Sequence, residues 1–153
     1  QLREKQKAKL VYGLLERQFR KYVDQAMMRR GNTAELLIQT LERRFDNSVF
    51  RSGFAKTRAQ ARQWITHGHF LVNGKRTKIP SYETKIGDLV TVRPQSLPRT
   101  LFKNIALKIK KYNPPSWLEL NKETLEIKRK GTPSLQELGL VVEVPLIFEF
   151  YSR

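Results

Sequence analysis

Between Thr57 and Gly74 the chain sets a capped basic helix directly against a tight hairpin, and few folds accommodate both in so short a span. Thr57-Arg58-Ala59-Gln60 has the spacing of a capping box, in which the Thr57 hydroxyl and the Gln60 side chain satisfy orphan amides at a helix start. Arg58 and Arg62 then lie one turn apart on one face, while Ala61, Trp64 and Ile65 form an apolar stripe for a core. One face packs and the other is cationic. Gly68 suits the left-handed position that follows a helix, and Phe70-Leu71-Val72 running into Asn73-Gly74 predicts a strand entering a type I′ hairpin.

Charge points the same way. Thirty Lys and Arg against fourteen Asp and Glu give a net charge of +16, a field that attracts a polyanion. The excess is spread along the chain: nine basic and four acidic residues in 1–40, eleven and four in 41–93, ten and six in 94–153. A detachable basic tail therefore does not explain it. No apolar run is long enough to span a bilayer and no lipidation signal is visible, so nucleic acid is favoured over an anionic membrane. With 39% hydrophobic residues the chain can bury a modest core as one domain or two small ones. The absence of cysteine excludes disulfides and thiolate metal sites and fits a reducing compartment. A start on Gln1 rather than Met, followed at once by Arg3, Lys5, Lys7 and Lys9, suggests that an N-terminal segment has been removed or was not included.

Residues 2–52 read as helical. Leu15, Phe19, Tyr22, Val23, Ala26 and Met27 recur as a buried helix stripe, leaving Arg17, Arg20 and Lys21 outside. Gly31 and Asn32 break the pattern, and Asn32-Thr33-Ala34-Glu35 reads as a new cap. The next helix is expected to run to Arg51 on the stripe Leu37, Leu41, Phe45 and Val49, with Arg44, Asn47 and Arg51 on another face, and Gly53 closes it. The periodicity then changes. Phe70–Val72, Lys75–Ile79 and Leu89–Val92 predict a small antiparallel sheet punctuated by Asn73-Gly74, Pro80-Ser81 and Gly87-Asp88. Leu101 to Tyr112 predicts a basic amphipathic helix stopped by Asn113-Pro114-Pro115. Lys128-Arg129-Lys130-Gly131 reads as a charged loop and Val144–Phe150 as a final buried strand or extended segment. The fold class is α+β: a helical domain plus a compact module of two helices packed on a small antiparallel sheet.

The chemistry present is that of binding. No glycine-rich phosphate loop with its trailing lysine exists, which argues against an ATP-driven motor or kinase. His67 and His69 flank Gly68 without the further ligands a metal site needs, so a helix-end or phosphate contact is expected of them. Asp46, alone among arginines, is expected to pair with Arg43 or Arg44 and orient a guanidinium. No catalytic residue, metal, cofactor or small-molecule substrate is expected. Arg44, Arg51, Arg58 and Arg62 offer planar forks that match phosphate, which suggests a positioned grip rather than diffuse attraction. Among the aromatics only Tyr82, in the Pro80-Ser81-Tyr82 loop, reads as free to stack on a base or sugar.

From Leu41 through Arg93 the residues Arg44, Asp46, Asn47, Gly53, Thr57, Arg58, Ala61, Arg62, His67-Gly68-His69, Val72-Asn73-Gly74, Ile79-Pro80-Ser81-Tyr82 and Gly87-Asp88 carry a family pattern. The stretch resembles the RNA-binding domain of bacterial-type small-subunit ribosomal protein S-four. Gln1 to Lys7, Tyr12-Gly13 and Glu16 to Arg20 resemble the family's helical first domain, and Pro115 to Leu118 and Glu149 to Arg153 its C-terminal part. Phe45, Ser48 and Trp64 depart from the residues usual in the family, and Pro94 to Lys111 matches loosely.

The resemblance implies a helical domain at 1–40, joined by the tail 132–153, and an RNA-binding domain at 41–131 whose most specific module is 41–93. It implies a structural constituent of the small ribosomal subunit that binds small-subunit rRNA at a multi-helix junction, early in assembly, near the path by which mRNA enters. The residues expected at the RNA are Arg44, Arg51, Lys56, Thr57, Arg58, Arg62, His69, Asn73, Gly74, Lys75 and Tyr82, with Arg17, Arg20 and Lys21 in the helical domain. Partners implied are rRNA, neighbouring small-subunit proteins and mRNA, with no membrane. The place implied is the cytoplasm, in the ribosome, and a plastid or mitochondrial ribosome is also compatible. The alternatives are a ribosome-rescue or regulatory factor using the same module, and a severed targeting domain of an RNA-modifying enzyme or a synthetase.

The charge generates a first prediction. If about six to ten phosphates are neutralised, affinity for rRNA falls by roughly three to five decades between about 50 and 200 mM salt, taking the duplex-DNA relation as a guide. Filter binding across that range checks it; a slope of about one or two ions would mean that most of the charge lies off the interface.

Overall fold

The four-residue stripe Leu37, Leu41, Phe45 and Val49 is buried throughout, yet it does not form one helix. The computed structural model describes residues 2–140 and 142–152. The chain runs through helices α1 (Leu2–Tyr12), α2 (Glu16–Met28), α3 (Thr33–Glu42), α4 (Phe45–Arg51) and α5 (Arg58–Thr66). Strands β1 (Phe70–Val72), β2 (Lys75–Arg76) and β3 (Leu89–Val92) follow. Then come α6 (Thr100–Lys108) with a 3-10 turn at Ile109–Lys111, β4 (Leu118–Asn121), β5 (Glu126–Arg129), α7 (Leu135–Leu138) and α8 (Val144–Tyr151). These elements divide into two compact units, one of Gln1–Glu42 with Pro133–Arg153 and one of Arg43–Thr132.

The expected continuous helix ends at Glu42 because the next residues are claimed by a distant loop. Arg44 is extended (φ −57°, ψ 141°) and bridges Glu83, while the Phe45 and Asp46 amides donate to the carbonyls of Tyr82 and Pro80. Leu37 and Leu41 therefore join one core, and Phe45 and Val49 the other. A further break falls at Gly13 (φ +65°), between α1 and α2.

In the helical unit, Phe19, Val23 and Ala26 of α2 pack with Leu37, Ile38 and Leu41 of α3 and with Val144 and Ile147 of α8. The stripe on α2 is narrower than the sequence pattern suggested. Leu15 caps the helix and is exposed, and Met27, 46% exposed, borders an open groove with Thr33, Ala34, Pro145 and Phe148. Polar ties close the unit: Tyr12 Oη donates to Glu42 at 2.7 Å, the Glu143 amide to Glu4 at 2.7 Å, and Lys5, Lys9 and Tyr151 all reach Glu16. The segment expected to be a strand, Val144–Phe150, is the helix α8. Pro145 sits in its first turn, where a missing N–H costs nothing, and Val144 and Ile147 share the buried face at a helical step.

The second unit places five antiparallel-paired strands in the order β2-β1-β3-β5-β4. Asn73 (φ +50°) and Gly74 (φ +82°) form the left-handed hairpin corner the sequence predicts, with Val72 opposite Lys75. The expected strand Lys75–Ile79 ends early, at Arg76. The first half of the expected charged loop at 128–131, Lys128 and Arg129, is instead strand. Alternation on β5 turns Ile127 and Arg129 inward, and the Arg129 guanidinium donates to the Thr84 carbonyl, to the Gly131 carbonyl at 3.0 Å and to Thr132 Oγ1 at 3.0 Å. Helices α4, α5 and α6 complete the core, where Phe45, Phe70 and Phe102 meet edge to face.

Trp64 faces this core at 9% exposed, as the stripe on α5 predicts. Trp64→Ala should therefore destabilise the unit by about 3–5 kcal/mol. Urea unfolding followed by far-UV circular dichroism measures it, and an unchanged midpoint would show that the indole contributes nothing to packing.

Candidate nucleic-acid interface

Helix α5 begins at an extended Thr57 whose Oγ1 accepts the Gln60 amide at 3.0 Å. The return bond comes one residue early, since Gln60 Oε1 accepts the Lys56 amide at 2.8 Å rather than that of Thr57. This locks the start of α5, from whose first two turns Arg58 and Arg62 project toward α4. There they meet two adjacent side chains, Asp46 and Asn47.

Asp46 is 1% exposed and accepts four hydrogen bonds. Its Oδ1 takes Arg44 Nε at 3.1 Å and the Asn47 amide at 2.7 Å, and its Oδ2 takes Arg44 Nη2 at 2.9 Å and Arg62 Nη1 at 3.2 Å. One buried carboxylate thus answers two guanidiniums, which a low-dielectric site requires if the charges are to stay. Asn47 acts in parallel: its Oδ1 accepts Arg58 Nε at 2.9 Å, while the Arg58 guanidinium lies 4.3 Å over the Phe50 ring. The expected pairing of Asp46 with Arg44 is present. The roles of Asn47 and Phe50 in holding Arg58 were not predicted, because the contact joins two helices and has no sequence spacing of its own.

The structure separates the expected RNA-contacting residues into two groups. Arg17, Arg20 and Lys21 are exposed on α2 of the helical unit. Lys56, Thr57, Gly74 and Lys75 are exposed and Arg51, Arg58 and Arg62 half-buried on the second unit. Asn73 is exposed, but its side chain bridges inward, from Nδ2 to Asp88 at 2.9 Å and from Oδ1 to the Leu89 amide at 2.9 Å. Three expectations are corrected. Arg44, 2% exposed, is an internal strut on Asp46 and does not present its fork to a ligand. His69 is buried against Phe102 with Nδ1 2.8 Å from Ser96 Oγ; burial first, then the nearby Arg99, His67, Arg76 and Arg93, hold its pKa below the usual histidine range. Tyr82 is not free to stack, since its ring meets Phe45 edge to face and its hydroxyl donates to Asp88 at 2.8 Å.

Among the described residues no group of three or more His, Cys, Asp or Glu is placed to hold a metal ion. What the site offers is a pair of arginines oriented by fixed acceptors at the start of a helix, beside exposed Lys56, the pattern of a phosphate-binding surface.

These features define a class. Residues 43–90 match the family model of the S4 domain, and residues 1–42 match that of the ribosomal protein S4/S9 N-terminal domain. Similar proteins extend over the whole chain. The small ribosomal subunit protein uS4 of Chloroflexus aurantiacus is 51% identical over 155 residues, covering 100% of this chain and 75% of the relative. Those of Persephonella marina (49%, 99% of this chain, 74% of the relative) and Gloeobacter violaceus (48%, 99% and 73%) are comparable. The chain belongs to the uS4 family of small ribosomal subunit proteins.

Asp88 pins Asn73 and Tyr82 and generates a pH prediction. Burial alone would raise its pKa, but hydrogen bonds from the Lys85 amide, Asn73 and Tyr82 outweigh it and hold the carboxyl below its ordinary value of 3.8. A depressed folded-state pKa contributes stability that is present above the unfolded value and lost as pH falls through the folded one. Stability of the Arg43–Thr132 unit should therefore decline below about pH 4. Asp88→Asn should be less stable at neutral pH and lose less on acidification; equal acid slopes in the two proteins would contradict this.

Proposed function

We infer that this protein is a structural constituent of the small ribosomal subunit and that it works by binding rRNA, not by turnover. The observation that carries the reading is the holding of Arg58 and Arg62 by Asn47 and Asp46 on an S4 module, within a chain whose whole length resembles small-subunit proteins. That length supports a ribosomal constituent over a rescue factor that borrows the module. In this reading residues 41–131 form the RNA-binding domain, with Arg51, Lys56, Thr57, Arg58, Arg62, Gly74 and Lys75 at its surface. Residues 1–40 with 132–153 form a helical domain that adds phosphate contacts through Arg17, Arg20 and Lys21. The site engaged is a multi-helix junction of the small-subunit rRNA, bound early in assembly near the path by which mRNA enters. Neighbouring small-subunit proteins, and mRNA itself, are further partners.

A guanidinium held at Nε and stacked on a ring fixes its remaining donors in space, whereas an ammonium on a flexible stem does not. Arg58→Lys with Arg62→Lys keeps the net charge at +16 while removing both forks. The double variant should bind the cognate rRNA junction about 1–3 kcal/mol more weakly, the scale of charge-assisted hydrogen bonds, and an unrelated duplex almost unchanged. Filter-binding titrations of both RNAs at one salt concentration make the comparison. Equal losses on the two, or none on either, would leave only a generic polycation.

A further inference from the structure

At the C-terminal end of α5 a second group of cations gathers around the buried pair His69 and Ser96. Two consecutive turns shape it: the Ser96 amide donates to the Arg93 carbonyl at 2.8 Å and the Arg99 amide to the Ser96 carbonyl at 3.0 Å. Arg93, Ser96 and Arg99 thus recur at every third residue. Ser96 is the inward member, its Oγ on His69 Nδ1, and the Arg93 amide donates to the His69 carbonyl at 2.7 Å. Arg76 arrives from β2, with Nε donating to the Gly68 carbonyl at 3.2 Å. Its guanidinium covers Gly68 so closely that a β-carbon there would lie 2.4 Å from Nη2, and Gly68 is also left-handed (φ +80°). The His67 ring centroid lies 6.2 Å from that of His69.

Arg76 and Arg99 are exposed and Arg93 is half-buried. Among the described residues none of the three has a carboxylate within ion-pair reach, in contrast to Arg44 and Arg62, which share Asp46. Burial first, and then the field of Arg99, His67, Arg76 and Arg93, lowers the His69 pKa. The favourable end of the α5 dipole accounts for Arg76 but not for Arg93 or Arg99, which the turns bring in from another part of the chain. Like charges assembled without a counter-charge repel one another, and an anionic ligand relieves that repulsion.

We propose that Arg76, Arg93 and Arg99, set around Gly68 and the His69–Ser96 pair, form a second backbone-phosphate site for RNA, separate from the grip of Arg58 and Arg62. The nine residues of α5 span about 14 Å, so the two sites engage different phosphates of one bound RNA. The site rests on the reading of this protein as an rRNA binder and adds to it a second point of contact, one that fixes orientation.

The test uses the full chain and small-subunit rRNA. Arg76→Gln, Arg93→Gln and Arg99→Gln together should make the slope of log affinity against log salt shallower by about two to three, and Arg99→Gln alone by about one. In hydroxyl-radical footprinting the triple variant should lose protection over one stretch of RNA while keeping the stretch that depends on Arg58 and Arg62. Circular dichroism confirms folding of the triple variant, and Arg99→Gln, at an exposed position, carries the test if the triple is unstable. An unchanged slope and footprint in variants of a protein that binds rRNA would overturn the second site alone. Loss of the same stretch as in the Arg58 and Arg62 variant would also overturn it. Failure of the unsubstituted protein to bind would overturn the rRNA reading itself.

Discussion

A single buried carboxylate organises the RNA-binding unit. Asp46 holds Arg44 inside the protein and Arg62 at its edge, and the next residue, Asn47, holds Arg58. Removing the acceptor would leave the Arg44 charge buried and unanswered, a change that typically costs about 3–5 kcal/mol. The adjacent residues Asp46 and Asn47, in the first turn of α4, also aim two side chains of α5. Stability and presentation of the binding surface are therefore coupled, and a substitution at Asp46 cannot alter one without the other.

Charge count overstates the surface available to RNA. Arg44 and Arg129 belong to the interior, each held by acceptors of the fold. Arg58 and Arg62 are intermediate, held by Asn47 and Asp46 and partly exposed. The exposed lysines are point charges that add attraction at long range but little geometry. A basic protein of this kind divides labour among its cations: some build the frame, some are positioned by it, and the rest supply the field.

Features set by a few adjacent residues were legible in the sequence. The Thr57 cap, the buried Trp64 stripe, the left-handed Gly68 and the Asn73-Gly74 corner all depend on local backbone preference and appear as read. The misreadings share another cause. The period-four stripe from Leu37 to Val49 runs unbroken through two separate helices, because the break is imposed by hydrogen bonds from the Phe45 and Asp46 amides to the Tyr82 and Pro80 carbonyls. The β4–β5 hairpin turns at Leu125 (φ +57°), with no glycine to announce it. Val144–Phe150 is rich in strand-forming residues, yet tertiary packing makes it helical. At the candidate interface, residue type in the sequence could not show that Arg44 and His69 are buried, or that the half-buried Tyr82 is engaged by Phe45 and Asp88.

The two units also differ in how soon they can be finished. The Arg43–Thr132 unit is one continuous stretch of chain, whereas the helical unit borrows α8 from the other end of the sequence. Its closing bonds, Glu143 to Glu4 and Tyr151 to Glu16, join residues 139 and 135 positions apart. Contacts of such separation carry a large loop-closure cost and form late. During synthesis, α1, α2 and α3 precede the S4 module yet wait for α8 to cover them, while the S4 module is already whole. The order of maturation is thus the reverse of the order of translation, and the RNA-gripping part is the first to be ready.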